Sequence, residues 1–382
     1  MPRFAFFRCT IYIPGATVNQ AIVYFWLHKK KYGGSDMEEM DINGKEPVLE
    51  CKYGENGYQT PAALYSGGTD DPFALDRFVV LQGTAPSYNN LCDLDRLLQT
   101  ATHVAAGFDI NNGEVPMIAV ACKHGNPCGA AAGGDPARVA MQALEGDLRA
   151  VFGGLILLSF EVDEVIAEVL MTHKMDGGVR RLLDGIVAPG FTKGAMEMLE
   201  RKGDKCRLLT NPALAGMDRE SLDSARRFRY VRGGFLAQPN YTFVPNLMSD
   251  AVERTGDHNA GQVDDMILAW AIGSTSNSNT VTLVRDGMLV GNGVGQQDRV
   301  GGCKLAVMRA KDAGHDTSGS VAYSDSFFPF TDGTAELADA GVKAIVATSG
   351  SIRDGEVKEF CRDKGITLFL YPDSAGRGFF GH

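Results

Sequence analysis

Lys123 and His124 stand side by side in the stretch Val120-Ala121-Cys122-Lys123-His124-Gly125-Asn126-Pro127-Cys128-Gly129. An imidazole next to a fixed cation is a candidate proton acceptor near neutral pH. The ammonium can stabilise negative charge that develops on an oxygen. Together the pair suits a transfer in which an amine attacks a carbonyl. The two cysteines nearby suit less. A structural zinc site needs four ligands, and a deaminase-type site needs His-x-Glu with Pro-Cys-x-x-Cys. Cys122, His124 and Cys128 supply neither pattern, so no metal is assigned. Cys128 as a nucleophile would need a base and an oxyanion site, and a small buried residue is the simpler reading.

The elements that must position this pair follow from the flanking residues. Val115 to Val120 reads as a short buried strand, and a strand end opening on a crevice is where α/β proteins place ligands. Gly129 and Ala130 to Ala132 suit a tight turn or a closely approached backbone, and Asn126-Pro127 is a turn signal. Ser87 to Gln99 has the spacing of a capped amphipathic helix. Further helices are predicted over 135–149, 162–173, 264–274, 300–310 and 354–364, with strands over 150–158, 183–188, 279–284, 341–351 and 366–371. Asp286-Gly287 predicts a hairpin joining the strand at 279–284 to Met288–Gly295. Gly291-Asn292-Gly293-Val294-Gly295 lacks the spacing of a phosphate loop and reads as a strand with Gly kinks. Towards the N-terminus, Arg3–Ile13 reads as a strand and Ala21–Leu27 as strand or helix. A polar turn after each of two strands, Val120–Gly129 and Val346–Ser351, suggests two related α/β domains linked around residues 240–255.

With 382 residues the chain exceeds what one core usually covers. A net charge of −10 argues against a general nucleic-acid or anionic-membrane partner. The basic run His28-Lys29-Lys30-Lys31 reads as a solvated helix end. Eight cysteines without regular spacing fit free thiols in a reducing compartment. No apolar run reaches membrane-spanning length and no signal-peptide pattern opens the chain, so a cytoplasmic protein is expected.

Several stretches then match one family in its own order. They are Tyr53-Gly54-Glu55-Asn56, Ser87-Tyr88-Asn89-Asn90, Lys123-His124-x-Asn126-Pro127-Cys128-Gly129, Phe152-Gly153-Gly154, Asp184 to Gly190, Ser278-Asn279, Gly293-x-Gly295-Gln296-x-x-Arg299, Ser324-Asp325-x-Phe327-Phe328-Pro329-Phe330 and Gly350 to Asp354. On these motifs the chain resembles the transformylase half of the bifunctional purine-biosynthesis enzymes, which formylate the ribonucleotide AICAR and close the product to IMP. The resemblance implies two tandem cytidine-deaminase-like α/β domains without zinc, over residues 51–245 and 246–382, with residues 1–50 as an N-terminal extension packed on the first. It implies a homodimer with active sites at the interface, 10-formyltetrahydrofolate as co-substrate and a structural monovalent cation such as K+.

By the same resemblance His124 accepts the proton, Lys123 is its electrostatic partner, and Asn279 hydrogen-bonds the formyl oxygen or holds the transferring group. Lys52, Tyr53, Asn90, Phe152, Gly153 and Asp184 line the nucleotide site. Phe327 packs on the aminoimidazole, Arg377 binds the phosphate and His382 reaches the carboxamide. Pro329, Phe330 and Asp332 take the pterin. This chain departs from the family at Lys52, where Arg is usual, and at Gly57-Tyr58, where Pro-His is usual. A Lys neutralises a phosphate without gripping it bidentately. The C-terminus is one residue longer between Arg377 and His382. The cyclohydrolase domain that normally comes first is not recognisable, so a stand-alone transformylase beside a separate IMP cyclohydrolase is expected. Competing readings are a same-scaffold formyltransferase with a different one-carbon donor and a non-catalytic nucleotide-binding relative.

Overall fold

Apolar runs on both sides of residue 250 fold into the same series of elements. The structure, a computed structural model, describes residues 46–381. The segments Arg3–Ile13, Ala21–Leu27 and His28–Lys31 and the terminal His382 lie outside the described residues. Of those described, 46–50 and 63–69 belong to one compact unit and 51–62 with 70–381 to another, which carries the main sheet.

Two short strands, β1 (Leu49–Cys51) and β2 (Ala62–Leu64), come first. The first series is β3 (Val79–Gln82), α1 (Tyr88–Asn112), β4 (Met117–Lys123), β5 (Asn126–Gly133), α2 (Pro136–Glu145), β6 (Leu155–Leu158), α3 (Glu164–Thr172), β7 (Gly185–Ala188), α4 (Lys193–Leu199) and β8 (Arg207–Thr210). A separate hairpin follows, β9 (Arg226–Val231) with β10 (Gly234–Pro239). The second series is β11 (Glu253–Thr255), α5 (Ala260–Ser274), β12 (Val281–Arg285), β13 (Met288–Gly293), α6 (Arg299–Asp312), β14 (Val321–Ser324), α7 (Asp332–Asp339), β15 (Ala344–Ser349), α8 (Asp354–Asp363) and β16 (Thr367–Pro372). A short α9 (Asp373–Gly376) leads into the C-terminal segment.

All the strands of the two series join one mixed sheet, ordered β11-β16-β15-β14-β12-β13-β5-β4-β6-β7-β8-β3. Read outward from its centre, each half has the same pairing. An antiparallel hairpin (β5-β4 or β13-β12) meets a third strand antiparallel, two parallel pairs follow, and an antiparallel strand closes the edge. The halves meet at one antiparallel pair, Met288 opposite Ala131. The partner of the strand over 120–129 in this repeat is therefore the β12–β13 hairpin. The pairing with Val346–Ser351 suggested by the sequence is wrong, since β15 occupies the place of β7.

Strand alternation divides the core. Ile118, Val120 and Cys122 of β4 face a cluster shared with α1 and α5, including Leu97, Val104, Met266 and Trp270. Ala119 and Ala121 face the opposite cluster with α2 and α3, and β15 splits in the same way. Three local expectations need correction. The helix starting at Ser87 is capped as predicted, but it runs to Asn112 and is buried at nearly every position from Asn90 to Phe108, because α5 packs beside it. Asn126-Pro127 and Gly129 to Ala132 lie within β5, not in a turn. Gly129 is needed for close approach, since a Cβ there would meet Ala143 O at 1.9 Å. The strand expected over 150–158 is confined to Leu155–Leu158.

Candidate functional site

The turn between β4 and β5 is two residues long, and both have positive φ, His124 at 52° and Gly125 at 70°. This is the type I′ geometry that suits the twist of a hairpin. It lifts the imidazole clear of the sheet, and His124 is exposed. The turn is hooked from below by α1, where Asp93 Oδ1 accepts the Gly125 N–H at 2.7 Å. Lys123 Nζ reaches sideways and donates to Phe152 O at 2.8 Å. That bond places Lys123, Phe152 and Gly153 together, with Phe152 half-exposed. Gly153 N–H in turn donates to Leu182 O at 2.6 Å. Asp184 stands just before β7. Burial pushes its carboxyl up, and the charges of Arg207, Arg201 and Lys123 oppose that rise.

Beyond the single Met288–Ala131 pair, β5 and β13 separate. The gap is a crevice of about 370 Å3 lined by Lys123, His124, Asn126, Cys128, Asn292 and Arg309 among others. Cys128 brings no thiolate to it, because burial pushes its pKa up to about 12. Burial likewise raises Cys122 well above the ordinary thiol range. Among the described residues no group of three or more His, Cys, Asp or Glu side chains is arranged to hold a metal. On the β13 side, Gly293 belongs to the strand and packs on α6, where a Cβ would lie 2.2 Å from Gly302 O. Asn292 ties the two sides together: its amide donates to Pro127 O at 3.1 Å and to Ser276 Oγ at 3.3 Å.

Ser276 opens the segment that carries Asn279. The Asn279 side chain is held at both ends. Its amide nitrogen donates to Gln296 O at 2.9 Å, and its Oδ1 accepts from Arg299 Nη2 at 2.8 Å. Arg299 is buried and pairs with the fully buried Asp325 at 2.5 Å. Asp325 also accepts the Thr280 N–H at 2.9 Å. A buried pair of this kind keeps its geometry because breaking it would strand a charge. The C-terminal segment locks the same loop: Phe380 N–H donates to Ser276 O and Ser278 N–H to Gly381 O. The Phe380 ring lies between the guanidinium groups of Arg96 and Arg227, at 3.8 and 3.4 Å from its centroid.

The remaining predicted residues are placed unevenly. Arg377 forms a bidentate pair with Asp373 (2.6 and 3.0 Å) and lies 5.5 Å from the Phe327 ring centroid. Burial raises the Asp373 carboxyl, but the hydrogen bonds from Arg377 and Thr348 outweigh it and hold the group low. Phe330 is exposed under Arg353 at 5.0 Å, Pro329 is half-buried, and Asp332 is exposed, accepting the Gly333 N–H. Asn90 caps α1, its Oδ1 accepting from Ser87 N–H and Oγ–H; any ligand contact would have to come from its amide nitrogen. Lys52 and Tyr53 are exposed neighbours, 5.9 Å from ammonium to ring centroid. Asn279, Phe327 and Arg377 are not among the residues lining the crevice. Sequence reasoning missed the supporting residues Asp93, Asn292 and Asp373. It recorded Arg299 and Asp325 only as parts of motifs. Polar residues in apolar runs, such as Asn292 in β13, were the available signal.

Fold and site together define an α/β protein with a Lys-His hairpin turn at the opening between two like halves of one sheet. The family model described as AICARFT/IMPCHase bienzyme matches residues 15–309, and the chain belongs to this family. The bifunctional purine biosynthesis protein PurH of Cutibacterium acnes is 38% identical over 337 residues, covering 84% of this chain and 56% of that protein. Its counterpart from Anoxybacillus flavithermus is 35% identical over 317 residues, covering 83% and 57%. The chain thus spans a little over half the length of these curated relatives. A solved diaminohydroxyphosphoribosylaminopyrimidine deaminase/reductase from Thermotoga maritima overlaps a quarter of the chain at 19% identity with a TM-score of 0.19, too little to carry an argument.

Proposed function

We propose that this chain transfers the formyl group of 10-formyltetrahydrofolate to the 5-amino group of AICAR, giving FAICAR in purine biosynthesis. The observation that carries the reading is the Lys123-His124 turn held at the mouth of the crevice, in a chain of the transformylase family. The amine nitrogen forms the new bond to the formyl carbon, and the bond from that carbon to folate N10 breaks. His124 takes the proton lost by the amine, and a proton returns to N10. Lys123 and Asn279 stabilise charge on the formyl oxygen. The amine is weakly nucleophilic, so positioning supplies much of the rate. Asn90, Phe152, Gly153 and Asp184 hold the nucleotide, Phe327 stacks on its ring, and Arg377 with Lys52 and Tyr53 meets its phosphate. His382 contacts the carboxamide, and Pro329, Phe330 and Asp332 take the pterin.

The architecture proposed is two tandem cytidine-deaminase-like domains divided near residue 245, supported by the recurring series of elements. The proposed homodimer is supported by the exposed apolar side chains of the β9–β10 hairpin, Tyr230 and Leu236, which a second copy would cover. The reading includes a structural monovalent cation such as K+. It also includes a cytoplasmic location, supported by seven free cysteines among the described residues. Among these residues no helix is long and apolar enough to cross a membrane.

The test is tetrahydrofolate release from purified protein given AICAR and 10-formyltetrahydrofolate, with Asn279→Ala alongside. Release by the wild type and a loss of at least tenfold in the variant are expected. A wild type without turnover sinks the proposal.

A further inference from the structure

A second cavity of about 160 Å3 lies away from the crevice, between α3, the end of α4 and the chain approaching β7. Its lining carries four cations, Arg180, Arg181, Arg201 and Lys202, against one carboxylate, Glu200. The floor is apolar, built from Leu170, Leu183, Ile186 and Leu199. Arg181 is 5% exposed. One of its terminal nitrogens donates to His173 O at 2.6 Å, but its buried Nε has no partner. Arg201 donates to Leu183 O at 3.2 Å, and Arg180 to Met198 O and Met171 Sδ. Among the described residues none of the four cations forms an ion pair.

A buried guanidinium without a counter-ion carries a desolvation cost, and in Arg181 one hydrogen bond to His173 O offsets only part of it while Nε stays unpartnered. Burial accordingly lowers the Arg181 pKa. Arg181 is the buried group, Arg201 beside it is half-buried, and Arg180 and Lys202 are exposed at the rim, so the cations of this hollow face one another from the core to the surface in an arrangement that suits an anion. The charge balance of the lining favours a dianion over a single carboxylate. Guanidinium forks suit a tetrahedral oxyanion, to which they bond bidentately. The volume admits a phosphate group with a few further atoms, not a whole nucleotide.

We propose that this cavity is a binding site for a phosphate group, either inorganic phosphate or the phosphate end of a small ester, with Arg181 at its base and Arg180, Arg201 and Lys202 around it. The site is separate from the crevice, although Leu182, beside it, accepts the Gly153 N–H.

Calorimetric titration of the whole chain with inorganic phosphate at constant ionic strength, using chloride as the control salt, tests this. The expected result is a saturable event weakened at least tenfold by Arg181→Met and by Arg201→Met and kept in Arg377→Met. Arg201→Met guards against a folding failure of the more buried variant. Glycerol 3-phosphate distinguishes the two sources: tighter binding than inorganic phosphate identifies an ester, and weaker binding identifies the free ion. Titrations unchanged by both cavity variants, binding lost only in Arg377→Met, or no phosphate binding at all would overturn the proposal.

Discussion

The two halves of the sheet end in the same device and use it differently. In each, a type I′ turn joins the hairpin strands, His124-Gly125 in one and Asp286-Gly287 in the other, with φ of 52° and 70° against 53° and 73°. In each, a helix that precedes the hairpin sends up an aspartate to hold the turn. Asp93 of α1 takes the Gly125 N–H, and Asp265 of α5 takes the N–H groups of Gly287 and Asp286 at 2.8 and 3.0 Å. The residue before the turn is a cation in both. Arg285 is neutralised by Asp316 at 3.0 Å and Asp286 at 3.4 Å. Among the described residues, Lys123 forms no ion pair and hydrogen-bonds only to a carbonyl, Phe152 O. One hairpin thus presents an imidazole with a cation held only by a carbonyl at a crevice, and the other closes its charge internally. The backbone device recurs in both halves, and its charge arrangement does not.

The comparison breaks most readily at the imidazole. His124→Asn keeps a residue that tolerates positive φ, so the turn should survive. Formyl transfer is expected to fall about 10³-fold with the unfolding midpoint unchanged, whereas Asp286→Asn should leave transfer intact. Equal losses in the two variants would mean that the turns do not differ in function.

Asp265 gives the next largest effect. Burial pushes its carboxyl up to about 6, and the two turn N–H groups only partly offset this. The folded state then binds this proton more tightly than the unfolded chain. Stability from this group therefore falls as pH rises from about 4 to about 6, by about 3 kcal/mol in all, and is flat above. Urea unfolding across that range should show the slope in the wild type and lose it in Asp265→Asn.

Asp93→Ala unhooks the other turn. A net cost of about 1 kcal/mol in stability is expected from the lost hydrogen bond. Looser placement of His124 should add a fall of about tenfold in kcat, with KM less affected. Asp265→Ala should change stability without that kcat loss. At the small end, Arg285→Met removes an exposed ion pair worth at most about 1 kcal/mol and should leave turnover unchanged.

Much of this was legible in the residues. Ser87 and Asn90 announced the start of α1, Asp286-Gly287 announced its turn, and Lys123-His124 stood out as chemistry at a strand end, because each of these signals acts over a few neighbouring residues. Buried strands carry no such local mark: β4, β7 and β15 are apolar on both faces, so their neighbours cannot be read from periodicity. Hence the wrong choice of repeat partner for the strand over 120–129. Likewise, Arg299 and Asp325, 26 positions apart, become a pair only when β14 and α6 close over Asn279, and the four cations of the second cavity are gathered from separate loops. The sequence by itself determined the capped start of α1, the Asp286-Gly287 turn and the Lys-His dipeptide at a strand end. The tertiary structure decided which of two equivalent turns opens on a crevice, since that depends on where β5 and β13 part and on which charges find partners across long separations.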